Sequence, residues 1–164
     1  MHCARKLEEG AYISDLLSML LRMRIYDTMS NTIRDLKPKD PSKVSIYAGG
    51  PTVQDVPHLG HARPALTYDV LKRYLVWAGF EVFLLSNITE IDDKIINRAL
   101  DEGISEEELA QKYANIHIEQ LRSLGIKDPD KRPKATQFIQ EMISIIEELM
   151  ENGSASESQG SGIY

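Results

Sequence analysis

The sequence predicts an α/β fold with a parallel sheet, and three consecutive segments carry the prediction. Residues 43–48 (KVSIYA) alternate apolar and polar side chains as a strand does, and Gly49-Gly50-Pro51 must end it. From Ala62 onward apolar residues recur at helical spacing, until Ala78-Gly79 ends the pattern. Residues 81–87 (EVFLLSN) are a nearly continuous apolar run, typical of a strand buried on both faces. Strand, helix and strand in this order form a βαβ unit, whose strands are parallel and whose crossover is right-handed.

The parallel sheet also predicts where a ligand binds. Ligands of such sheets lie beyond the carboxyl ends of the strands. Residues 49–61 follow the first predicted strand, and residues 87–93 follow the second. We therefore expect these two loops to meet at one site.

The remainder of the chain is predicted to be mostly helical. Ser105 and Glu108 have the spacing of a capping box, and Gly125 marks the end of the helix that begins there. A second helix ends at Gly153, and residues 154–164 are expected to form a loop or the start of a hairpin. Residues 30–43, which contain two prolines, are predicted to be a loop. Trp77 and the methionine-rich face of the second helix are interpreted as core; that face comprises Ile139, Met142, Ile143, Ile146, Leu149 and Met150.

Composition places the chain among ordinary globular proteins of a reducing compartment. The 164 residues are 42% hydrophobic and 27% charged, enough for one domain or a domain and part of a second. Cys3 is the single cysteine, so neither a disulfide framework nor a cysteine-rich metal cluster is expected. The early apolar run at 12–25 is interrupted by Asp15 and Arg22, which argues against a signal peptide or membrane span. We predict a cytoplasmic protein with no membrane partner; a net charge of −6 neither supports nor excludes RNA.

The stretch His58-Leu59-Gly60-His61 is the clearest candidate for chemistry. A helix N-terminus presents unpaired amide donors and a partial positive charge, which together favour an anion. Residues three apart lie on one side of the first turn, so both imidazoles can donate to phosphate oxygens, and Gly60 leaves room for a base or ribose. A lone histidine is more simply structural. A pair around a glycine at the end of a strand favours a phosphate site.

These residues carry a resemblance to a known family. The tetrapeptide HLGH at 58–61 resembles the HIGH signature of class I aminoacyl-tRNA synthetases. The stretches GPTVQDVPHLGHAR (50–63) and SNITEIDDKII (86–96) resemble cysteinyl-tRNA synthetases in particular, and the likeness runs from about Met23 to Tyr164.

The resemblance implies the first half of a Rossmann-like, HUP-type nucleotide-binding domain followed by the start of a helical insertion. The domain boundaries expected from it are an N-terminal extension at 1–22, the nucleotide-binding half domain at 23–100, and the helical insertion, incomplete at its C-terminus, at 101–164.

The resemblance further implies ATP-dependent activation of cysteine and its ligation to tRNA, with Mg²⁺ accompanying ATP. By motif position the catalytic residues would be His58 and His61, and Gly50 and Gly60 would join them in binding ATP. The amino-acid pocket would contain Thr52, Asn87, Thr89 and Asp92. A carboxylate at a helix start is often a cap, so Asp92 is equally well interpreted as one.

Several positions depart from the family pattern. Gly49 occupies the position of a zinc-binding cysteine, so no metal ligand is predicted there and zinc, expected for the family, is doubtful. Gln54 replaces the usual tyrosine, and Glu90 replaces the usual aspartate. The second half of the nucleotide fold, the KMSKS loop and the tRNA-binding domain would follow residue 164. The chain is therefore expected to be truncated, incomplete for full activity, and marginally stable or associating.

Three hypotheses stay open from the sequence. The first is the N-terminal part of a cysteine–tRNA ligase, with ATP, cysteine and tRNA as partners and no DNA. The second is a zinc-independent paralogue or a mycothiol-type cysteine ligase that joins an amino acid to a small acceptor. The third is a non-catalytic nucleotide-binding or partner-binding module derived from a synthetase.

Overall fold

The computed structural model describes residues 23–158 and 161–163. The N-terminal extension predicted for 1–22, including Cys3, lies outside the described residues. The elements in chain order are β1 (Arg24–Asp27), β2 (Thr32–Asp35), β3 (Lys43–Ala48), α1 (Leu59–Trp77), β4 (Glu81–Ser86), α2 (Asp93–Glu102), α3 (Glu106–Ser123), a 3₁₀ turn (Ala135–Phe138), α4 (Ile139–Glu151), β5 (Ser156–Ser158) and β6 (Ser161–Ile163).

The chain divides into two compact units, and the smaller contains the described residues up to Val44 together with Arg73–Val82. In it β1 and β2 pair as an antiparallel hairpin, with Arg24 opposite Asp35. The sequence prediction of a loop over 30–43 is wrong for β2. Its side chains are all exposed, so the strand has no apolar alternation by which it could be recognised.

The larger unit contains Ser45–Lys72 and the described residues from Phe83 onward. Strands β3 and β4 pair in parallel, as predicted. The segment 130–134 runs parallel to β4 along its other edge, where the Ser86 N–H donates to the Lys131 carbonyl at 3.1 Å and the Ile88 N–H to the Pro133 carbonyl at 2.9 Å. This edge of β4 is therefore paired with another segment rather than open. The sequence of residues 130–134 did not predict this pairing, because the segment contains proline, which is rare within a sheet.

The main hydrophobic core of the larger unit lies where α2 and α3 pack beneath the loops that follow β3 and β4. Asp92 caps α2 by accepting from the Lys94 N–H at 2.9 Å, and Ser105 caps α3 by accepting from the Glu108 N–H at 3.2 Å. Gly125 follows α3 with a φ of 76°, a left-handed conformation that suits glycine. The predicted start and end of α3 are thus confirmed. The buried members of the core are Val53, Ile88, Ile95, Ala99, Leu109, Ala110, Tyr113 and Ala114.

Two predicted core surfaces are exposed instead. Trp77 at the end of α1 is 76% exposed, and no residue of α4 is buried, with Met142 and Met150 more than 40% exposed. Apolar periodicity predicted α4 correctly as a helix, but it does not specify what covers the apolar face. Of the two alternatives predicted for residues 154–164, a loop or the start of a hairpin, the structure has the hairpin, since β5 pairs antiparallel with β6. None of the described helices is long and apolar enough to cross a membrane.

Candidate functional site

The loops that follow β3 and β4 meet, as the parallel topology predicts. The Gly50 N–H donates to Asn87 Oδ1 at 2.9 Å, and the Tyr47 hydroxyl donates to the same oxygen at 3.1 Å. Thr52 and Thr89 form a parallel bridge, in which the Thr89 N–H donates to the Pro51 carbonyl at 3.0 Å. Backbone and side-chain hydrogen bonds therefore join the two loops into one platform.

The two glycines at the end of β3 have different roles. A Cβ atom at Gly50 would lie 1.5 Å from the Asn87 carbonyl oxygen, closer than any side chain tolerates. A Cβ atom at Gly49 would meet nothing within 4 Å. Glycine is thus required at 50 by the close approach of two backbones, whereas the space at 49 would accept a side chain.

His58 and His61 cap the first turn of α1 reciprocally. Nδ1 of His58 accepts from the Gly60 N–H at 3.0 Å, and Nδ1 of His61 accepts from the His58 N–H at 3.2 Å. The pattern is that of a capping box, with imidazoles in place of the usual hydroxyl and carboxylate. The helix consequently begins at Leu59, three residues earlier than the apolar pattern indicated.

The reciprocal cap fixes which nitrogen of each ring can act on a ligand. Because Nδ1 of both rings is an acceptor, the proton of each neutral imidazole must be on Nε2. The centroids of the two imidazole rings are 4.1 Å apart, so the two rings that carry the Nε2–H donors lie side by side. A Cβ at Gly60 would lie 2.7 Å from Cε1 of His58, so glycine at this position leaves room for the His58 ring.

His117 is a third imidazole that the sequence did not single out. It lies on α3, is 6% exposed, and meets the His61 ring edge-on with the centroids 6.0 Å apart. Burial, followed by the charges of His61 and Arg132, lowers the pKa of His117 to about 4. Burial and the His58 charge lower the pKa of His61 as well. Both rings are therefore disposed to be neutral at neutral pH, and only tertiary packing brings His117 to this position.

A cavity of about 240 Å³, here called the histidine cavity, opens beside this cluster. Its lining includes Gly49 and Gly50 from the end of β3, Gly60 and His61 from α1, His117, and Arg132. Arg132 also donates to Asp128 Oδ1 at 3.0 Å. The cavity thus combines backbone groups of the glycine loop with imidazole and guanidinium donors, and the carboxylates of Asp69 and Asp128 also line it.

The other predicted site residues lie outside the lining of the histidine cavity. His58 borders an adjacent depression with Pro57 and Leu59. Asn87, Thr52 and Thr89 hold the two loops together, while Asp92 is occupied by its capping bond to the Lys94 N–H. Their assignment to an amino-acid pocket stays a prediction, and the cap interpretation of Asp92 has direct support from its geometry.

The residues present do not fit a zinc ion. Gly49 has no ligand atom, and the described residues contain no group of three histidine, cysteine, aspartate or glutamate side chains arranged to hold a metal. The N–H groups of His58 and Gly60 are occupied by the two imidazoles, so the donors that remain for a ligand at the start of α1 include the two Nε2–H groups.

Comparison with known proteins gives a family match over most of the chain. Residues 35–164 match the family described as tRNA synthetases class I (C) catalytic domain. The chain is 45% identical over 145 residues to a cysteine–tRNA ligase of Thermodesulfovibrio yellowstonii, covering 87% of this chain and 30% of that protein. It is 41% identical over 138 residues to a cysteine–tRNA ligase of Streptococcus pneumoniae R6, covering 84% of this chain and 31% of that protein. The chain thus spans about 30% of the length of the curated relatives it matches.

A solved structure supports the fold. A Campylobacter jejuni protein described as an arginyl-tRNA synthetase superimposes with a TM-score of 0.58 at 17% identity. The match covers 77% of this chain and 38% of the other. At this identity the likeness concerns the fold alone.

Proposed function

The chain belongs to the class I (C) tRNA synthetase catalytic domain family, and from that membership we propose that it supplies the nucleotide-binding and amino-acid-binding part of a cysteine–tRNA ligase. The observation that carries the proposal is the reciprocal histidine cap, which directs two Nε2–H donors from the N-terminus of α1. His61 lines the histidine cavity, and His58 borders the adjacent depression. We keep the three domain boundaries and the cytoplasmic location predicted from the sequence as part of the proposal.

The proposed reaction has two steps. A carboxylate oxygen of cysteine attacks the α-phosphorus of ATP, the bond to the bridging oxygen breaks, and pyrophosphate leaves. The terminal ribose hydroxyl of tRNA then attacks the activated carbonyl carbon, and AMP leaves. Mg²⁺ bound to ATP would offset the charge of the departing pyrophosphate.

The residues of this chain would act by positioning and by stabilising charge. His58 and His61 donate from Nε2 to phosphate oxygens, and Gly50 and Gly60 let backbone and ring approach closely at the ATP site. A preorganised donor of this kind typically contributes about 3 kcal/mol to transition-state stabilisation. Thr52, Asn87, Thr89 and Asp92 are the proposed border of the amino-acid pocket.

Gly49 supports a second candidate function. A zinc-independent paralogue, or a mycothiol-type ligase that joins an amino acid to a small acceptor, would not need a metal ligand at this position. Pyrophosphate exchange measured with a panel of amino acids separates the candidates. Exchange with cysteine and transfer to tRNA support the first; exchange with another amino acid, or transfer to a small acceptor, supports the second.

The test of the phosphate site is a double variant that keeps the helix cap. Asparagine is a good N-cap, and glutamine at the third helical position completes a capping box, so His58→Asn with His61→Gln retains the cap and removes both imidazole rings. The amide N–H groups of the new side chains can also donate, but not from the positions of the two imidazole Nε2 atoms. We expect its thermal unfolding to stay close to that of the parent and its affinity for ATP, measured by calorimetry, to fall at least about tenfold.

Ser105→Ala is the matched control. It removes the cap of α3, so it should lower stability by about 1 kcal/mol and leave ATP affinity unchanged. Undiminished ATP affinity in the folded double variant would show that the two imidazole rings are not needed to bind the phosphates.

A further inference from the structure

His117 is a buried imidazole that lines the histidine cavity without a hydrogen-bond partner. The residue is 6% exposed, and among the described residues its ring contacts the His61 ring but forms no hydrogen bond. Gln54 Oε1 is the one enclosed side-chain oxygen or nitrogen of the described residues that lacks a partner. The nitrogens of His117 are therefore not enclosed by protein, and they border the cavity.

The protonation state of His117 decides what it can recognise. Burial lowers the pKa of His117 to about 4, so the ring is neutral at neutral pH. A neutral imidazole has one N–H donor and one acceptor nitrogen. Buried polar groups normally have hydrogen-bond partners, because leaving one unpaired costs free energy. His117 is thus suited to a ligand group that also both donates and accepts, as a hydroxyl or a thiol does.

The charged residues in the lining of the cavity balance one another. They are two acidic and two basic residues, Asp69, Asp128, Lys127 and Arg132. Arg132 donates to Asp128 Oδ1 at 3.0 Å, and the backbone N–H of Lys127 donates to Asp69 Oδ1 at 3.3 Å. The lining therefore has no excess charge to offset the dehydration of a charged side chain, and it favours an uncharged one.

Residue 49 adds neither a ligand atom nor a steric wall to this cavity. Gly49 lines the cavity, and a Cβ atom at this position would meet nothing within 4 Å. Glycine has no side chain with which to hold a metal ion that could select a thiol. Hydrogen bonding from His117 is the means of side-chain recognition that the described lining offers instead.

His117 also lies close to the proposed chemistry. Its ring centroid is 6.0 Å from that of His61, one of the two proposed phosphate donors. A carboxylate that attacks the α-phosphorus has to lie about 3–3.5 Å from it. The amino acid is then held beside His61, where a short side chain is long enough to approach His117.

We propose that His117 determines the amino-acid specificity of the site by hydrogen bonding to the substrate side chain, so that serine is bound at least as tightly as cysteine. This role rests on the proposed function, since it places the amino acid beside His61. A hydroxyl is a stronger donor and acceptor than a thiol, so a hydrogen bond to an imidazole does not favour cysteine. Alanine, which can form no such bond, should bind most weakly.

The experiment measures by calorimetry how the full chain binds three stable aminoacyl-adenylate analogues, the sulfamoyl adenosines of serine, cysteine and alanine. Their side chains differ at a single atom. We expect the serine analogue to bind at least about fivefold more tightly than the alanine analogue, and no more weakly than the cysteine analogue. In His117→Leu the three affinities should agree within about twofold. His117→Gln, which retains a donor and an acceptor, should keep the preference for serine.

Leu121→Met is the matched control. Leu121 lies one turn further along α3 and lines the same cavity, but it has no hydrogen-bonding group, so the variant should keep the order of the three affinities. Thermal unfolding of every variant verifies that it is folded. The His58→Asn, His61→Gln double variant should weaken binding of all three analogues by a similar factor and leave their order unchanged.

Two results would overturn the role of His117 and leave the proposed function intact. One is a preference of the parent for the cysteine analogue over the serine analogue by more than about tenfold, which a hydrogen bond to imidazole does not produce. The other is a preference for serine over alanine that persists undiminished in folded His117→Leu. Failure of the parent to bind any of the three analogues would contradict the proposed function itself, and the role of His117 with it.

Discussion

At the scale of single residues, two adjacent glycines are distinguished by what lies beside their Cα atoms. Gly50 faces the Asn87 carbonyl oxygen, and Gly49 faces open space at the edge of the histidine cavity. In the sequence the two glycines look like parts of one turn. Only the distance between the two loops shows that residue 50 must be glycine and that residue 49 could carry a side chain.

Gly50→Ala should lower the free energy of unfolding by more than about 2 kcal/mol, because the new methyl group must displace the Asn87 backbone. Gly49→Ala, its matched control, should stay within about 0.5 kcal/mol of the parent. Urea denaturation of both variants checks this difference, and equal destabilisation would contradict the assigned close approach at residue 50.

His117 makes stability depend on pH. Its pKa is lowered from 6.5 to about 4 in the folded protein, chiefly by burial. Below pH 6.5 the unfolded chain binds the proton first, so the folded state loses stability as pH falls from about 6.5 towards 4. Lowering the pH from 7.5 to 5 should therefore reduce stability by about 2 kcal/mol through this residue alone.

The measurement is urea denaturation at both pH values for the parent and for His117→Gln, which has no titratable ring. The variant should show a pH dependence smaller by about 2 kcal/mol. An identical pH dependence in the two proteins would show that His117 is not buried as a neutral ring.

At the scale of elements, Glu90 fastens the 3₁₀ turn to the loop after β4. Its carboxylate accepts from the Ala135 N–H at 2.9 Å, from the Thr136 N–H at 2.8 Å and from the Thr136 hydroxyl at 2.5 Å. Burial acts to raise the pKa of Glu90, but the bonds from Thr136 and Ala135 together outweigh it and lower the pKa. The longer side chain that departs from the family pattern thus has a structural role here.

Glu90→Gln should destabilise the protein by about 2 kcal/mol at pH 7, since bonds to a charged acceptor are replaced by weaker ones. Because the folded pKa is depressed, this stabilisation is present above the unfolded pKa near 4.5 and is lost as pH falls through the lower folded pKa. Urea denaturation from pH 7 to pH 3 measures it. Glu107→Gln, an exposed position on α3, is the control expected to be neutral.

At the scale of the whole molecule, the described residues leave large apolar side chains exposed in each of the two units. Trp77 is 76% exposed in the smaller unit, and Ile145 on α4 is 57% exposed in the larger one. Exposed apolar patches favour association. The marginal stability or association expected from the sequence stays a prediction on these grounds.

We expect the apparent mass from sedimentation velocity to rise with concentration and to fall back towards the monomer value in the Trp77→Lys, Ile145→Lys double variant. The substitutions Gln140→Lys on α4 and Gln120→Lys on α3, both at exposed polar positions, add the same two positive charges and provide a charge-matched control. A monomer of constant mass at all concentrations would contradict the expectation.

Much of the fold could be predicted because its signals are local. The end of β3, the apolar strand β4 and the caps of α3 each depend on residues within a few positions of one another. The β1–β2 hairpin was not predicted because its strands are only four residues long and largely exposed, and the 130–134 segment was not predicted because it contains proline. Neither has the apolar alternation of a half-buried strand.

The sequence by itself determined the parallel βαβ unit, the position of His58 and His61 at a helix start, and the family resemblance. Each of these follows from periodicity, capping or motif spacing, which depend on residues close together in the chain. Only the tertiary structure decided that His117 contacts His61, that Gly50 rather than Gly49 must be glycine, and that Trp77 and the predicted core face of α4 are exposed. Each of these depends on which distant segment packs against the residue. A local sequence pattern shows that an apolar face or a glycine is present, but it does not show which segment lies against it.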